Sequence, residues 1–222
     1  MKEHVVKVLE AKFITHDVKK FVVERPEGYD FLPGQATDVS INLPDWKDQL
    51  RPFTFTCLHD AKYLEFMIKI YSERNGVTKK LGSINAGDEL IIHDVFGAIE
   101  YKGPGVFIAA GTGITPFISI FRELFKHNKI HGNRLIYANK TSDDIILGQE
   151  LHRMLKNNFI NVLTRENVIG FTGRRIDRNM LIEMIVNFSQ HFYVCGPDDF
   201  VRDINKHLID LGVEASTLVF EK

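Results

Sequence analysis

The sequence predicts two domains: an antiparallel β-barrel over residues 1–100, followed by an α/β domain with a parallel sheet over residues 101–222. Three observations predict this fold. The first hundred residues contain short apolar runs separated by turn residues, with no long helical pattern between them. Afterwards apolar strands alternate with helical segments, which is typical of a parallel sheet covered by helices. A glycine-rich turn, "AAGTGITPFISIF" at residues 109–121, joins the first strand of the second half to its first helix.

Six runs in the first half are rich in β-branched and aromatic residues and predict strands. Proline, glycine, asparagine and aspartate separate them, and this pattern favours a closed antiparallel barrel. In chain order the runs are "HVVKVLEAKFIT", "VKKFVVERP", "TDVSINL", "PFTFTCLH", "YLEFMIKIY" and "ELIIHDVF".

The pattern changes at "EYKGPG", residues 100–105. The predicted strands are then "GVFIAA", "RLIYAN", "FINVLT", "FYVC" and "STLVFEK". The predicted helices are "TPFISIFRELFKHN", "DDIILGQELHRMLKN", "RNMLIEMIVNF" and "PDDFVRDINKHLIDLG". Thr115 followed by Pro116 is typical of an N-cap and a first helical position. The core-facing stripe predicted for this helix consists of Phe117, Ile120, Phe121, Leu124 and Phe125.

Composition narrows the class of protein. The chain is 44% hydrophobic and 26% charged with a formal net charge of −1, which is typical of a globular protein and argues against nucleic-acid binding. Glycine and proline interrupt the apolar runs before they reach the roughly 20 residues of a membrane helix. No signal-peptide pattern opens the chain, so we expect a cytoplasmic protein. Two cysteines, Cys57 and Cys195, are too few for an iron–sulfur cluster, and we expect reduced thiols and no metal site.

The glycine-rich turn has the composition of an anion site. Backbone N–H groups at a helix start can bind a phosphate, and Gly111 and Gly113 would allow its close approach. The turn lacks the Gly-Lys-Ser/Thr ending of a nucleoside-triphosphate loop. Pro116 replaces the third glycine of the dinucleotide fingerprint, and Lys140 stands where that fingerprint has an acidic residue. Two interpretations stay open: a nucleotide-phosphate turn of another type, or an ordinary strand–helix connection.

Three motifs in order carry a family resemblance: "RPFT" at residues 51–54, "GTGITP" at 111–116, and "YVCGPDDF" at 193–200. With them the chain resembles the ferredoxin–NADP reductase superfamily over essentially its whole length. It looks most like the stand-alone flavin reductases, of the flavodoxin or ferredoxin reductase type. In that family the barrel holds FAD and the parallel domain holds NAD(P)H, so the resemblance implies both cofactors.

The resemblance assigns flavin-binding roles to the strand Arg51, Pro52, Phe53 and Thr54. Arg51 would pair with the flavin pyrophosphate, which suits the fork of a guanidinium. Phe53, where the family usually has tyrosine, would stack on the isoalloxazine; the alternative is an ordinary inward strand residue. Thr54 would donate a hydrogen bond toward flavin N5.

A second segment would continue the flavin site. Its strand resembles the one beside the ribityl chain and phosphates, and "NGVT" resembles the turn that caps the pyrophosphate, with a shorter spacing than many members have. A plain turn before a capped helix is the alternative. The residues are Ile68, Lys69, Tyr71, Gly76, Val77 and Thr78.

The nicotinamide nucleotide would bind on the second domain. Its pyrophosphate would lie on the glycine turn, and "CGP" would place Cys195 beside the nicotinamide in an orienting role. Glu221 matches a family glutamate near the C-terminus, but the family's terminal aromatic ring does not follow it. With Thr54 and Cys195, Glu221 completes the residues implied in catalysis. The other implied contacts are Gly111, Thr112, Gly113, Thr115, Pro116, Gly196 and Pro197.

A group of cations predicts a preference for NADPH. Thr164 and Arg165 end the strand "FINVLT", and this "TRE" resembles the "SRE" with which reductases of the family hold the 2′-phosphate. Lys140 ends the neighbouring strand and Arg174 follows in a loop, so the three cations are expected to gather one phosphate. Solvated loop charges are the alternative.

The implied activity is an FAD-dependent NAD(P)H oxidoreductase. A hydride would pass from nicotinamide to flavin, and electrons would then pass to a separate acceptor, namely a flavodoxin, a ferredoxin or an oxygenase component. Two alternatives stay open: an electron-transfer subunit of a larger enzyme, and a flavin-binding sensor without turnover.

Overall fold

The computed structural model describes residues 2–97, 99–166 and 173–220. The chain forms two compact units. The first consists of Met1–Gly97 together with Thr115–Glu123, and the second of Ala98–Ile114 together with Leu124–Lys222. The segment Thr115–Glu123 therefore packs with the first unit although it follows the predicted boundary at residue 100.

The first unit is a six-stranded antiparallel sheet in the order β4-β3-β6-β1-β2-β5. The edge strands β4 and β5 lie close together: just after β4, the Thr56 N–H donates to the carbonyl of Glu65 in β5 at 2.9 Å. The sheet is thus nearly a barrel, as predicted, although β4 ends earlier than its apolar run suggests. The elements are β1 His4–Phe13, β2 Val18–Glu24, β3 Ala36–Ile41, β4 Arg51–Thr54, β5 Tyr63–Lys69, α1 Val77–Leu81 and β6 Glu89–Phe96.

The barrel interior is filled by apolar side chains from every second strand position, as the alternation of the sequence predicts. Phe21, Phe55 and Phe66 are fully buried there. One cation is also buried: Lys19 is 3% exposed, and its Nζ donates to the carbonyls of Gly82 at 2.9 Å and Ile84 at 2.7 Å. These two hydrogen bonds hold the segment that follows α1 against the sheet. Burial lowers the pKa of Lys19.

The second unit contains a five-stranded parallel sheet in the order β11-β10-β7-β8-β9. The predicted alternation of strands and helices is confirmed. The strands are β7 Gly105–Ala110, β8 Arg134–Asn139, β9 Phe159–Leu163, β10 His191–Cys195 and β11 Leu218–Phe220. The helices are α2 Thr115–Lys126, whose first nine residues pack with the first unit, α3 Gly148–Leu155, α4 Arg178–Met184 and α5 Asp198–Asp210.

The structure differs from the sequence prediction at helix ends. A 3-10 turn, Gly111–Ile114, runs directly into α2, so Thr115 is the first α-helical residue and not an N-cap. Phe125 is 39% exposed and does not belong to the core stripe. The helix predicted from residue 143 starts only at Gly148, because Leu147 adopts φ 51°. In the described parts of the chain, we find no helix that combines the length and apolarity needed to cross a membrane.

Candidate functional site

The strand β4 presents the "RPFT" motif on two faces. Alternation places Arg51 and Phe53 on one face and Pro52 and Thr54 on the other. Arg51 is exposed and its Nη1 donates to the Leu50 carbonyl at 2.6 Å. Among the described residues it has no carboxylate partner, so its remaining donors can bind an anion. Phe53 packs against the barrel core while staying partly exposed, a position compatible with both roles considered for it.

Thr54 meets the residue that opens α2. The Thr54 hydroxyl donates to Thr115 Oγ1 at 2.6 Å, and Thr115 is only 8% exposed. Both residues belong to the first unit. The structure thus brings together one residue of "RPFT" and one of "GTGITP", which are 61 positions apart. Pro116 follows Thr115 and is buried.

Three residues expected to contact the flavin, Ile68, Lys69 and Tyr71, lie at the end of β5 and just after it, and they differ in exposure. Ile68 is 1% exposed and lies in the barrel core, so only its backbone could contact a ligand. Lys69 forms an ion pair with Asp17 at 2.5 Å. Tyr71 is 38% exposed, with the Arg74 guanidinium 5.0 Å from its ring centre.

The turn before α1 leaves backbone donors available. Gly76 precedes the helix in an extended conformation, and no side chain caps the helix start. A Cβ on Gly76 would meet no atom within 4 Å. Val77 is a core residue and Thr78 is partly exposed. The first N–H groups of α1 have no partner within the helix and could donate to an anion.

In the second unit, the glycine turn and the "CGP" segment interlock. A Cβ on Gly113 would lie 2.4 Å from the Cys195 carbonyl oxygen and 2.6 Å from the Gly196 Cα. A Cβ on Gly196 would in turn lie 2.8 Å from the Phe200 ring and 3.1 Å from the Ala110 Cβ. The backbone approach of the two loops therefore requires glycine at position 113, whereas a Cβ on Gly196 would displace side-chain atoms of Phe200 and Ala110.

Gly111 plays a different part in the same turn. It adopts φ +54°, and a Cβ there would meet nothing within 4 Å. The Tyr137 hydroxyl donates to its carbonyl oxygen at 2.9 Å, which holds the turn over β8. Thr112 is partly exposed. Gly111 thus leaves open space beside the turn, as expected for a phosphate site, whereas Gly113 is explained by packing.

Cys195 ends β10 beside this turn. Its side chain is 6% exposed, and Pro197 serves as the N-cap residue of α5. The other thiol, Cys57, is buried in the barrel, where desolvation raises its pKa to about 11.

The structure brings two of the three predicted cations together. The Arg165 N–H donates to the Lys140 carbonyl at 2.9 Å, and the side chains of both are exposed. Neither forms an ion pair among the described residues. Arg174 instead pairs with Glu183 of α4. Thr164 lies between the strand ends, where its hydroxyl donates to the Asn139 carbonyl at 3.2 Å.

Sequence reasoning missed two polar features. Asn139, at the carboxyl end of β8, is 6% exposed, and neither atom of its side-chain amide has a partner among the described residues. Its position at a strand end was the available signal. The second is the largely buried pair of Arg122 and Glu65; an arginine after the apolar first turns of α2 was the available signal.

Glu221, the third residue that the resemblance implies in catalysis, lies outside the described residues.

Two family models match the chain. The oxidoreductase FAD-binding domain matches residues 5–101, and the oxidoreductase NAD-binding domain matches residues 107–206. The chain is 30% identical to NADH-cytochrome b5 reductase 1 of Coccidioides immitis over 230 residues, covering 93% of this chain and 74% of the relative. It is 28% identical to NADH-cytochrome b5 reductase 1 of Eremothecium gossypii over 232 residues, covering 94% and 79%.

Solved structures share the fold. A ferredoxin NADP+ reductase from Neisseria gonorrhoeae with bound FAD and NADP superposes with a TM-score of 0.86 at 22% identity, covering 100% of this chain and 98% of that one. The FAD/NAD-binding domain of nitric oxide dioxygenase from Vibrio cholerae gives 0.86 at 22% identity, covering 98% and 97%. The chain therefore belongs to the ferredoxin–NADP reductase superfamily and is a flavin-dependent NAD(P)H oxidoreductase with an FAD-binding and an NAD-binding domain.

Proposed function

We propose that this protein transfers electrons from NAD(P)H, through bound FAD, to a separate redox protein. The observation that carries the proposal is the 2.6 Å hydrogen bond between Thr54 and Thr115. It joins the strand that the family uses for the flavin to the residue that follows the nucleotide turn. Thr115 is 8% exposed, so the contact also satisfies a largely buried hydroxyl.

The first unit has the groups that FAD requires. Arg51 offers guanidinium donors without a competing carboxylate among the described residues, and the start of α1 offers uncapped backbone N–H groups. Together they would hold a pyrophosphate. Phe53 would lie against the isoalloxazine, and Tyr71 and Lys69 would border the rest of the cofactor. Ile68 and Val77 would contribute backbone atoms only, since their side chains are in the core.

The second unit has the groups that a nicotinamide nucleotide requires. The open space at Gly111 and the backbone N–H groups of the 3-10 turn suit a pyrophosphate. The amide of Asn139, at the neighbouring strand end, has no partner among the described residues; its N–H groups would donate to a phosphate or ribose oxygen and its oxygen would accept from a ribose hydroxyl. Gly113 and Gly196 would keep Cys195 in place against that turn. The thiol would then orient the nicotinamide, and no covalent role is proposed for it.

The chemistry that FAD would supply when bound is hydride acceptance and the release of electrons one or two at a time. The role of the protein is to bind, orient and polarise. Thr54, which donates to Thr115 in this structure, would turn its hydroxyl proton toward the flavin atom that receives the hydride, and Thr115 would then donate to the Thr54 oxygen and orient it. An acid–base triad is not needed for this chemistry.

The acceptor is proposed to be a one-electron redox protein. The relatives at 28–30% identity are named NADH-cytochrome b5 reductase. A b-type cytochrome therefore joins flavodoxin, ferredoxin and oxygenase components as a candidate acceptor. Lys140 and Arg165 support a preference for NADPH, while those relatives are named for NADH. With Arg174 paired to Glu183, two cations and not three would hold the 2′-phosphate.

The test begins with the purified protein, which should be yellow and should release FAD and not FMN. Anaerobic mixing with NADPH should reduce the flavin, and adding oxidised cytochrome b5, flavodoxin or ferredoxin should then reoxidise it. Thr54→Val, which keeps the shape and removes the hydroxyl, should bind FAD normally and slow flavin reduction by about 10²-fold. A colourless protein that takes up no added FAD would contradict the proposal.

A further inference from the structure

The first two turns of α2 are apolar apart from a stripe of polar side chains on one face. Thr115, Ser119 and Arg122 follow one another at spacings of four and three, so their side chains lie on one face. All three belong to the first unit and contact the barrel. Thr115 bonds to Thr54 at 2.6 Å, and Ser119 Oγ accepts from the Gly34 N–H at 3.0 Å.

Arg122 makes the strongest of these contacts. Its Nη1 donates to Glu65 Oε1 at 2.6 Å and to the Thr56 carbonyl at 2.7 Å. The Thr56 hydroxyl donates to the same Glu65 oxygen at 2.8 Å. Glu65 is 5% exposed, so the ion pair is shielded from water on the carboxylate side. The Arg122 side chain is 19% and that of Glu65 7% exposed, so separating the two would leave the Glu65 carboxylate in a largely buried setting without its charged partner.

The two ends of the stripe contact the same stretch of barrel. Thr56 follows Thr54 by two residues, which places both on one side of an extended chain. Arg122 follows Thr115 by about two helical turns, which places both on one side of the helix. Sliding or rotating α2 far enough to separate Thr115 from Thr54 would therefore also break the pair of Arg122 and Glu65.

We propose that Arg122 and Glu65 are positioning residues for the Thr54–Thr115 hydroxyl pair. This inference rests on the proposed function, because the pair matters for turnover only if Thr54 faces the flavin. In this structure Thr54 donates its single hydroxyl proton to Thr115, so Thr54 becomes a donor toward a ligand when the pair reverses and Thr115 donates to the Thr54 oxygen. The buried ion pair keeps the two oxygens close enough for that exchange.

The test measures the rate of anaerobic flavin reduction and the midpoint potential of the bound flavin. Arg122→Met should slow reduction by about 10-fold in the wild-type background. In the Thr54→Val background the same change should slow it by less than about 2-fold, because no hydroxyl is left to position. The midpoint potential should move in the same direction in Arg122→Met as in Thr54→Val.

Two further variants guard against misfolding and general damage. Arg122→Met leaves Glu65 charged and unpaired, so the double variant Arg122→Met with Glu65→Gln removes that charge and should show the same slower reduction. Arg202→Met removes an exposed arginine paired with Asp199 on α5 and should leave rate and potential unchanged.

Equal slowing in both backgrounds would overturn the inference, and so would a lower melting temperature with unchanged reduction rate and potential. Either result, in a wild-type protein that binds FAD and accepts a hydride, would leave the proposed function intact. A wild-type protein that takes up no FAD would overturn both.

Discussion

Gly113→Ala is expected to damage the second unit through one added methyl group. The new Cβ would lie 2.4 Å from the Cys195 carbonyl oxygen, 2.5 Å from its carbon and 2.6 Å from the Gly196 Cα. All three atoms belong to the backbone, so no side-chain rotation can relieve the contact. The strand end of β10 must move, or the turn before α2 must.

The size of the effect follows from that geometry. Overpacking a tight site costs about 1–3 kcal/mol, and a clash with backbone on the far side belongs at the upper end. Gly111→Ala provides the matched control two residues away. Its Cβ would meet nothing within 4 Å, and the cost there comes from φ +54°, about 1 kcal/mol. Gly111→Asn should recover part of this loss, because asparagine tolerates the left-handed region better than alanine.

Thermal unfolding separates the two glycines. With about 2–4 °C per kcal/mol for a chain of this size, Gly113→Ala should lower the melting temperature by about 6–12 °C and Gly111→Ala by about 2–4 °C. FAD content should be unchanged in Gly113→Ala, since the residues proposed to hold FAD lie in the first unit, while the KM for the nucleotide should rise. A Gly113→Ala protein as stable as wild type, or a larger loss in Gly111→Ala, would refute the close approach of the two loops.

Three further predictions concern charge and burial. Arg165→Ala should raise the KM for NADPH by about 10-fold or more and leave the KM for NADH nearly unchanged. Arg174→Ala removes a residue that is paired with Glu183 and should change both KM values little. An equal rise in both KM values with Arg165→Ala would contradict the role of Arg165 at the 2′-phosphate. Lys19→Met should lower the free energy of unfolding by about 1–3 kcal/mol because two backbone carbonyls lose their donor. Burial lowers the pKa of Lys19, so between the lowered pKa and the ordinary lysine pKa the unfolded chain binds more protons than the folded one. The wild-type protein therefore gains stability as pH rises through this window, and the loss of unfolding free energy in Lys19→Met, measured by denaturant titration, should grow. A loss that shrinks as pH rises would contradict the lowered pKa. Cys57, whose pKa is raised to about 11, should resist iodoacetamide at pH 8 in folded Cys195→Ala protein and react in guanidinium; rapid labelling of the folded protein would show that the thiol is accessible.

The sequence alone determined the order and type of the main elements. Local periodicity predicts the apolar alternation in the first half and the succession of strands and helices in the second. This periodicity is present in the sequence whatever segments later pack together. The family followed for the same reason, since "RPFT", "GTGITP" and "CGP" are contiguous motifs. Helix ends were less predictable: Thr115 has the residue type of an N-cap, but the preceding 3-10 turn continues the helix through it.

Tertiary structure decided which of the predicted side chains are available. Arg165 and Arg174 look alike in sequence, yet Arg174 pairs with Glu183 on α4. Gly113 reads as a phosphate glycine, yet the Cys195–Gly196 backbone explains it. Arg122 and Glu65 are 57 positions apart, and no local pattern predicts that they meet. The physical reason is that ion pairs and close backbone approaches depend on distances between remote segments, which exist only once the chain has folded. The same holds for the buried amide of Asn139, which has no partner in the part of the chain that the structure describes.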